Sequence, residues 1–147
     1  MYLSTKTRYA LRSMLELGLN YNKGTVLLKD VAKRQEISLK YLDHIFSALK
    51  SSGLIKSSGR GKGYILSKPP SKITIYNIVE AFEDSNLVGC VDEPNICRRS
   101  RLCGARTLWN KLSFVFKKEL RSTSLQDLIK EQQRLFGKRK KAQMYYI

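Results

Sequence analysis

The segment from residue 26 to residue 53 holds two helical patterns joined by a tight turn, and this arrangement constrains the fold most. The first pattern is short and centres on Ala32, which is small enough to let two helices cross closely. The second follows Ser38, a good N-cap, and stops before Gly53, a favoured helix terminator. Its apolar side chains recur at helical spacing: Leu42, Ile45 and Leu49. A short helix, a turn and a longer helix predict a helix-turn-helix.

Two short strand patterns follow directly, at residues 54–56 and 64–66. The connecting residues 57–63 are rich in Gly and Ser, and Pro69 and Pro70 end the second strand. The tip carries Arg60 and Lys62 and no acid. A basic hairpin that follows a helix-turn-helix predicts a winged helix.

Four further helices are expected. One precedes the helix-turn-helix at residues 7–19, and one at residues 73–84 has Thr74 as its cap. A helix from about residue 105 carries a broad apolar stripe that must pack on its own domain or on a second copy: Leu108, Trp109, Leu112, Val115, Phe116 and Leu120. The last is capped by Ser124 and is expected to end before Gly137.

These patterns predict a mainly α fold with a small β-hairpin, that is, an α+β winged helix-turn-helix followed by a long helix. The expected divisions are the winged helix-turn-helix at 1–84, a cysteine-bearing loop at 85–104, the long helix and the C-terminal helix at 105–135, and a basic, mobile tail at 136–147.

The charge of the chain points to a polyanionic partner. Its 28 Lys and Arg residues outnumber 12 Asp and Glu residues, which gives a net charge of +16. The basic residues concentrate in stripes at 56–72 and 137–141. No apolar run approaches the roughly 18 residues of a spanning helix, and no signal peptide is recognisable, so we expect a cytoplasmic protein that does not enter a membrane.

Catalysis is not expected. The sequence shows no Ser–His–Asp set, phosphate-binding loop or paired catalytic carboxylates. One histidine, His44, leaves little capacity for proton transfer near neutral pH.

All three cysteines fall within fourteen residues, as Cys90, Cys97 and Cys103. A reducing compartment disfavours a structural disulfide and favours metal or redox chemistry. Zinc usually takes a fourth ligand and closely spaced cysteine pairs, so an iron–sulfur cluster ranks first, a thiol-redox sensor second and zinc third. Four nearby arginines would offset the negative charge of thiolates: Arg98, Arg99, Arg101 and Arg106.

The chain resembles the Rrf-type bacterial winged-helix transcription regulators, whose branches respond to iron–sulfur clusters, nitric oxide or cysteine supply. The resemblance is carried by LSTKTRYALRSML at 3–15, ISLKYLDHIFSALKSSGLIKS at 37–57, GKGYILSKPP at 61–70, ITIYNIVEAFE at 73–83, the cysteines and SLQDL at 124–128. It implies that residues 1–84 are the DNA-binding domain and that the helix from about residue 105 is the dimerisation helix. The resulting homodimer would bind an imperfect palindromic operator in double-stranded DNA. Two positions depart from the pattern: Lys62 replaces a glycine of the wing, and Glu36 stands where the turn usually has glycine.

The resemblance also implies that the three cysteines ligate a [2Fe–2S] or [4Fe–4S] cluster. In such relatives the fourth ligand is a histidine shortly after the third cysteine or an acid of the partner's first helix. Arg106 and Arg8 occupy these positions here. The candidate substitutes are Asp92, Glu93, a small thiol or water.

Candidate DNA contacts lie in three places. A recognition helix reads bases mainly with its N-terminal residues, a wing tip enters the minor groove, and the start of the first helix meets phosphate. Leu39 suits a thymine methyl and Asp43 a cytosine amino group, while Leu39 and Tyr41 would equally suit partial core packing. In relatives, the acid equivalent to Asp43 discriminates between operator classes. The full set is Ser4, Thr5, Lys6, Arg8, Ser38, Leu39, Lys40, Tyr41, Asp43, His44, Arg60 and Lys62.

The sequence therefore predicts a dimeric transcription regulator whose operator affinity is modulated by an iron–sulfur cluster that senses iron, redox state or nitric oxide. One alternative is a cluster-free repressor that responds through its thiols or to a small molecule. The other is a protein that binds nucleic acid without sequence preference.

Overall fold

The computed structural model describes residues 3–84 and 87–145 and is mostly helical. Its elements in chain order are α1 (Thr5–Leu19), α2 (Leu28–Gln35), α3 (Leu39–Ser51), β1 (Ile55–Ser57), β2 (Tyr64–Leu66), α4 (Ile75–Glu80), α5 (Gly104–Ser122) and α6 (Leu125–Tyr145). Short 3₁₀ turns lie at Pro70–Lys72, Gly89–Val91, Pro94–Ile96 and Ser100–Leu102. The predicted α+β winged helix-turn-helix is confirmed.

Local sequence signals define the helix-turn-helix. Ser38 caps α3 by accepting a hydrogen bond from the Tyr41 backbone N–H at 3.2 Å. Glu36 closes α2 in the left-handed conformation, with φ of +55°. Glycine would adopt this conformation without the steric cost that a Cβ brings. The Ile37 N–H then returns to the Ala32 carbonyl at 3.0 Å, which completes the tight turn.

The hairpin is anchored to the segment that precedes α2. β1 and β2 pair antiparallel with Ile55 opposite Leu66. Tyr64 also exchanges two backbone hydrogen bonds with Val26, at 2.8 and 3.0 Å. A Cβ added at Gly63 would lie 2.7 Å from the Val26 carbonyl oxygen, so this close approach requires glycine. The wing is therefore fixed to the helix-turn-helix by its own backbone.

One hydrophobic core unites the winged helix with the last helix. Its largest fully buried side chains include Met14 of α1 and Phe46 of α3. Leu125 and Ile129 of α6 are buried in the same core, 0% and 3% exposed. A Cβ at Gly18 of α1 would approach the Ile129 Cδ1 atom to 2.4 Å, which shows how closely α6 lies on α1.

The connection from α4 to α6 is held by capping and by backbone pairing. Thr74 and Asn77 form a capping box at the start of α4, as the sequence predicts for Thr74. The Leu125 N–H donates to the Ile73 carbonyl at 2.8 Å, and the Ile75 N–H donates to the Thr123 carbonyl at 2.9 Å. These bonds tie the end of α5 to the start of α4.

The structure differs from the sequence-based expectation at the C-terminal end. The expected break before Gly137 is absent, and α6 continues to Tyr145. A single glycine costs a helix only about 1 kcal/mol, and the Lys- and Arg-rich residues that follow are good helix formers. In the part of the chain that the structure describes, no helix combines the length and apolar character that a membrane crossing needs.

Candidate nucleic-acid interface and cysteine segment

The N-terminal end of α3 presents an exposed polar surface. Ser38, Lys40, Asp43 and His44 are all exposed, and Leu39 keeps 52% of its surface accessible. An accessible leucine at the start of a recognition helix is free to contact a thymine methyl. The rest of its surface is covered, which is also compatible with partial packing, the other interpretation of Leu39.

Tyr41, unlike the exposed residues around it, packs its ring against another helix. It is half-buried, and its ring meets Tyr9 of α1 edge to face, with centroids 6.1 Å apart. The Arg12 guanidinium lies 5.6 Å from the Tyr9 ring centroid. Tyr41 therefore packs α3 against α1, and its hydroxyl is the part that could reach a phosphate or base.

The wing and α3 line one groove of about 540 Å³. Leu39 and Arg60 both belong to its lining, which comprises Leu27, Leu28, Lys29, Leu39, Ser57, Gly59, Arg60, Gly61, Gly63 and Tyr64. Arg60 and Lys62 are exposed at the hairpin tip. A basic tip beside a recognition helix can bind phosphate or enter a narrow minor groove while the helix reads the major groove.

The start of α1 is already bound to an anion within the chain. Ser4 caps the helix, and its own backbone N–H donates to the Glu83 carboxylate at 2.7 Å. Glu83 also accepts from the Thr7 hydroxyl. These hydrogen bonds hold the pKa of Glu83 below its ordinary value of 4.5. The Ser4 N–H, an expected phosphate donor, is thus occupied, whereas Thr5, Lys6 and Arg8 are exposed.

The cysteine segment folds as a chain of short 3₁₀ turns instead of the irregular loop that the sequence predicts. Cys90 is half-buried, and Cys97 and Cys103 are exposed, all three as free thiols. Ser100 is buried at 6% exposure and donates its hydroxyl to the Pro94 carbonyl at 2.5 Å. Among the described residues, no three Cys, His, Asp or Glu side chains stand close enough together to hold a metal ion.

Arg106 fastens this segment to α5. Its Nε donates to the Cys90 carbonyl at 3.0 Å, and a terminal nitrogen donates to the Val91 carbonyl at 3.2 Å. Asp92 lies 4.0 Å from the Lys117 Nζ atom, further along α5. Arg106 therefore acts on the backbone of the segment.

Three of these contacts were missed by the sequence interpretation. Glu83 is 79 residues from Ser4, and no local pattern connects them. The roles of Ser100 and Arg106 depend on backbone carbonyls that any sequence would supply. Only the general tendency of acids to sit at helix N-termini could have suggested Glu83.

A face of α5 has no partner within the described residues. Leu108, Leu112 and Val115 are 51%, 40% and 54% exposed. Such a stripe of large apolar side chains is unusual on a protein surface unless another surface covers it.

The exposed α3, the anchored wing and the basic surface define the class: a winged helix-turn-helix regulator. The family model of Rrf2, described as an iron-dependent transcriptional regulator, matches residues 3–131, and the chain belongs to this family. Family and relatives are transcriptional regulators, not enzymes.

Known proteins resemble the chain over most of its length. The HTH-type transcriptional regulator IscR of Xenorhabdus nematophila is 36% identical over 135 residues, 90% of this chain and 82% of the relative. CymR, the global cysteine regulator of B. subtilis, superposes with a TM-score of 0.72 at 32% identity, over 88% of this chain and 97% of CymR. IscR of T. potens superposes with a TM-score of 0.72 at 28% identity, over 89% of this chain and 88% of that protein.

Proposed function

We propose that this regulator binds an imperfect palindromic operator as a homodimer and that its cysteine segment adjusts the fit. The observation that carries the proposal is a single groove that is lined both by exposed Leu39 of α3 and by Arg60 of the basic wing tip. A helix end and a hairpin tip so arranged suit simultaneous contact with a major groove and the adjacent minor groove.

The proposed DNA contacts divide by chemistry. Asp43 selects bases, because its carboxylate accepts from a cytosine amino group and is repelled by phosphate. Ser38, Leu39, Lys40, Tyr41 and His44 complete the proposed surface of α3. Lys62 on the wing and Thr5, Lys6 and Arg8 on α1 supply phosphate contacts that fix the register of the protein. The side chain of Ser4 belongs to this set, although its N–H serves Glu83.

The proposed dimer forms through α5. A second copy is the natural cover for the exposed Leu108, Leu112 and Val115, because a twofold axis brings the same apolar stripe of each protomer together. Two recognition helices related by that axis require an operator with matching twofold symmetry. Half-sites one helical turn apart, or multiples of it, are expected.

The cysteine segment is the proposed sensor. The chemistry of its donors fits an iron–sulfur cluster, since Cys90, Cys97 and Cys103 are free thiols within one segment and two of them are exposed. In the described structure the three cysteines are not close enough together to hold a metal ion. Cluster binding would therefore require residues 90–103 to rearrange and bring the thiols together. When bound, the cluster would supply a centre that iron supply, oxidants or nitric oxide can alter.

The chain's own residues would transmit such a change. Arg106 ties the backbone at Cys90 to the first turn of α5, the proposed dimer helix. Closing the segment at one end of α5 would therefore alter how the two protomers, and with them the two α3 helices, are spaced. Asp92, whose carboxylate lies 4.0 Å from the Lys117 Nζ atom of α5, is an acid of the segment that could complete the donor set.

A cluster-free thiol or small-molecule sensor is the second candidate. Its support is the exposure of Cys97 and Cys103 as free thiols without a gathered metal site among the described residues, together with the likeness to a protein named as a cysteine regulator. Exposed thiols are the ones that oxidants reach first.

Anaerobic reconstitution separates the two candidates. The wild-type protein is incubated with iron and sulfide, desalted, and analysed for bound iron, sulfide and visible absorbance. If a cluster binds, the wild type should contain iron and sulfide and absorb visible light, and the Cys97→Ser variant should lose all of these properties. Ser47→Ala, an exposed substitution on α3, serves as the handling control. Absence of iron and colour in the wild type removes the cluster and leaves the thiol sensor.

A further inference from the structure

The distal half of α6 carries a basic surface that the winged helix does not explain. Residues 132–145 contain five basic side chains and no acidic one: Arg134, Lys138, Arg139, Lys140 and Lys141. All five are exposed, and of these only Arg134 forms a salt bridge among the described residues, with Glu131. These residues lie beyond residue 131, where the match to the family model ends.

The helix holds this surface in a fixed place. Leu125 and Ile129 anchor α6 in the core, and the helix then continues unbroken through Gly137. At about 1.5 Å per residue, Lys138–Lys141 stand roughly 14–18 Å beyond Ile129. The charges are therefore carried on an anchored helix and not on a free tail.

The distal part of α6 runs beside the helix-turn-helix. Gln132, Phe136 and Arg139 recur on one face of α6 and line a groove of about 800 Å³ together with Arg12 of α1 and Arg34 of α2. Leu27, at the start of α2, belongs both to this groove and to the groove between α3 and the wing. The basic end of α6 thus lies next to α2, the helix that crosses the DNA backbone in this class of motif.

The charges of the groove favour an anion. Three arginines face two acids, and one of these acids, Glu16, is already engaged by Arg34 at 2.6 Å and by the Gln35 amide. The other acid, Asp30, lies in the first turn of α2. With Glu16 and Arg34 paired, Arg12 and Arg139 remain against Asp30 in the groove. Lys138, Lys140 and Lys141 add three exposed positive charges on the same helix as Arg139.

We propose that the basic end of α6 is an additional contact surface for the phosphate backbone of duplex DNA, flanking the bases that α3 and the wing read. Lys138, Lys140 and Lys141 contact phosphates and add affinity without adding sequence preference. This inference rests on the proposed DNA-binding function and extends its footprint beyond the winged helix.

The salt dependence of binding to a random-sequence duplex of about 40 base pairs tests the proposal. Each phosphate contact contributes roughly 0.9 to the slope of log K against log salt concentration. The variant Lys138→Gln/Lys140→Gln/Lys141→Gln keeps helix-forming side chains and should reduce the slope by about 2–3 per protomer. The variant with three Lys→Arg changes at the same positions should keep the wild-type slope.

Lys23→Gln/Lys50→Gln/Lys130→Gln is the matched control. It removes the same charge from exposed positions that lie outside the proposed DNA-contact and dimer surfaces. A slope for the α6 variant that equals the wild type or the control overturns the proposal. Circular dichroism checks that α6 persists in the triple variant. A chain ending at Gly137 is a second variant. Because it also lacks Arg139, its slope should be reduced at least as much. If the wild type binds no duplex at all, the proposed function itself fails, which is a separate result.

Discussion

Glu83 and Thr7 lie 76 residues apart in the sequence and meet in a 2.5 Å hydrogen bond. The same carboxylate oxygen accepts from the backbone N–H of Ser4, the N-cap of α1. Glu83, which lies between α4 and the cysteine segment, therefore accepts hydrogen bonds from donors at the N-terminus of α1. An acid at a helix N-terminus is stabilised both by these donors and by the helix dipole.

Replacing Glu83 by Gln should lower the free energy of unfolding at pH 7 by about 0.5 kcal/mol, because a neutral amide accepts more weakly than a carboxylate and solvent screens this partly exposed site. The folded-state pKa lies below the ordinary value of 4.5, so this contribution is complete above pH 4.5 and is lost as the pH falls through the folded pKa. Urea unfolding at pH 7 and near pH 3 should show the difference between wild type and variant shrink. Asp84→Asn, an exposed neighbour, should leave stability unchanged at both pH values; equal effects of the two substitutions would refute the role of Glu83.

The contact between α1 and α6 predicts a compensated pair. Gly18→Ala places a Cβ 2.4 Å from the Ile129 Cδ1 atom, so it should cost about 1–2 kcal/mol through overpacking. Ile129→Val removes that methyl group, so that only the Cγ1 atom, 3.1 Å from the new Cβ, still has to shift slightly. The double variant should be more stable than the sum of the two single effects by roughly 1 kcal/mol in a denaturation cycle. Strict additivity would mean that α6 does not lie on α1 as described.

The two basic residues of the wing should differ in their effect on sequence preference. Arg60→Ala should weaken binding to A·T-rich operators by about 1–2 kcal/mol more than binding to random duplexes, because narrow A·T tracts concentrate negative potential. Lys62→Gln should weaken binding to all sequences alike. Titrations of both variants on the two kinds of duplex at one salt concentration make the comparison. An identical loss on every sequence for Arg60→Ala would exclude the minor-groove contact.

Arg106 should control access to Cys90. In the metal-free protein, a thiol-specific reagent should modify exposed Cys97 and Cys103 rapidly and half-buried Cys90 slowly. Arg106→Ala removes both hydrogen bonds to the Cys90–Val91 backbone and should accelerate the slow thiol about tenfold, the equivalent of roughly 1.4 kcal/mol. Arg101→Ala, which removes an exposed arginine of the same segment, is the control and should leave the rate at Cys90 unchanged. Three equal rates in the wild type would contradict the described packing.

Local signals in the sequence were sufficient to predict most of the helices. Ser38 and Thr74 are N-caps whose side chains accept from the backbone three residues on, and Gly53 takes a positive φ of 74° at the end of α3. Such signals act over one helical turn, so a single sequence reveals them. The hairpin was predictable for the same reason.

Long-range contacts were not predictable. Nothing near Glu83 indicates that it meets Ser4, and Arg106 was expected to balance thiolate charge, whereas it binds backbone carbonyls. At Gly137, by contrast, a local signal was misleading. The glycine predicts the end of a helix, but α6, whose first turns are anchored in the core, continues through it. The arrangement of the cysteines depends on the fold of residues 87–103, which spacing alone does not determine.

The ratio of specific to random-sequence affinity tests the central claim most directly. An operator is selected from a random-sequence duplex pool with the anaerobically reconstituted wild type, and its dissociation constant is compared with that of a scrambled duplex at the same salt concentration. We predict an imperfect palindrome bound at least about 10³-fold more tightly than the scrambled duplex, with a markedly changed ratio when Cys90, Cys97 and Cys103 are all replaced by Ser. A wild-type ratio near one would contradict the account, because it would make the protein a sequence-neutral binder.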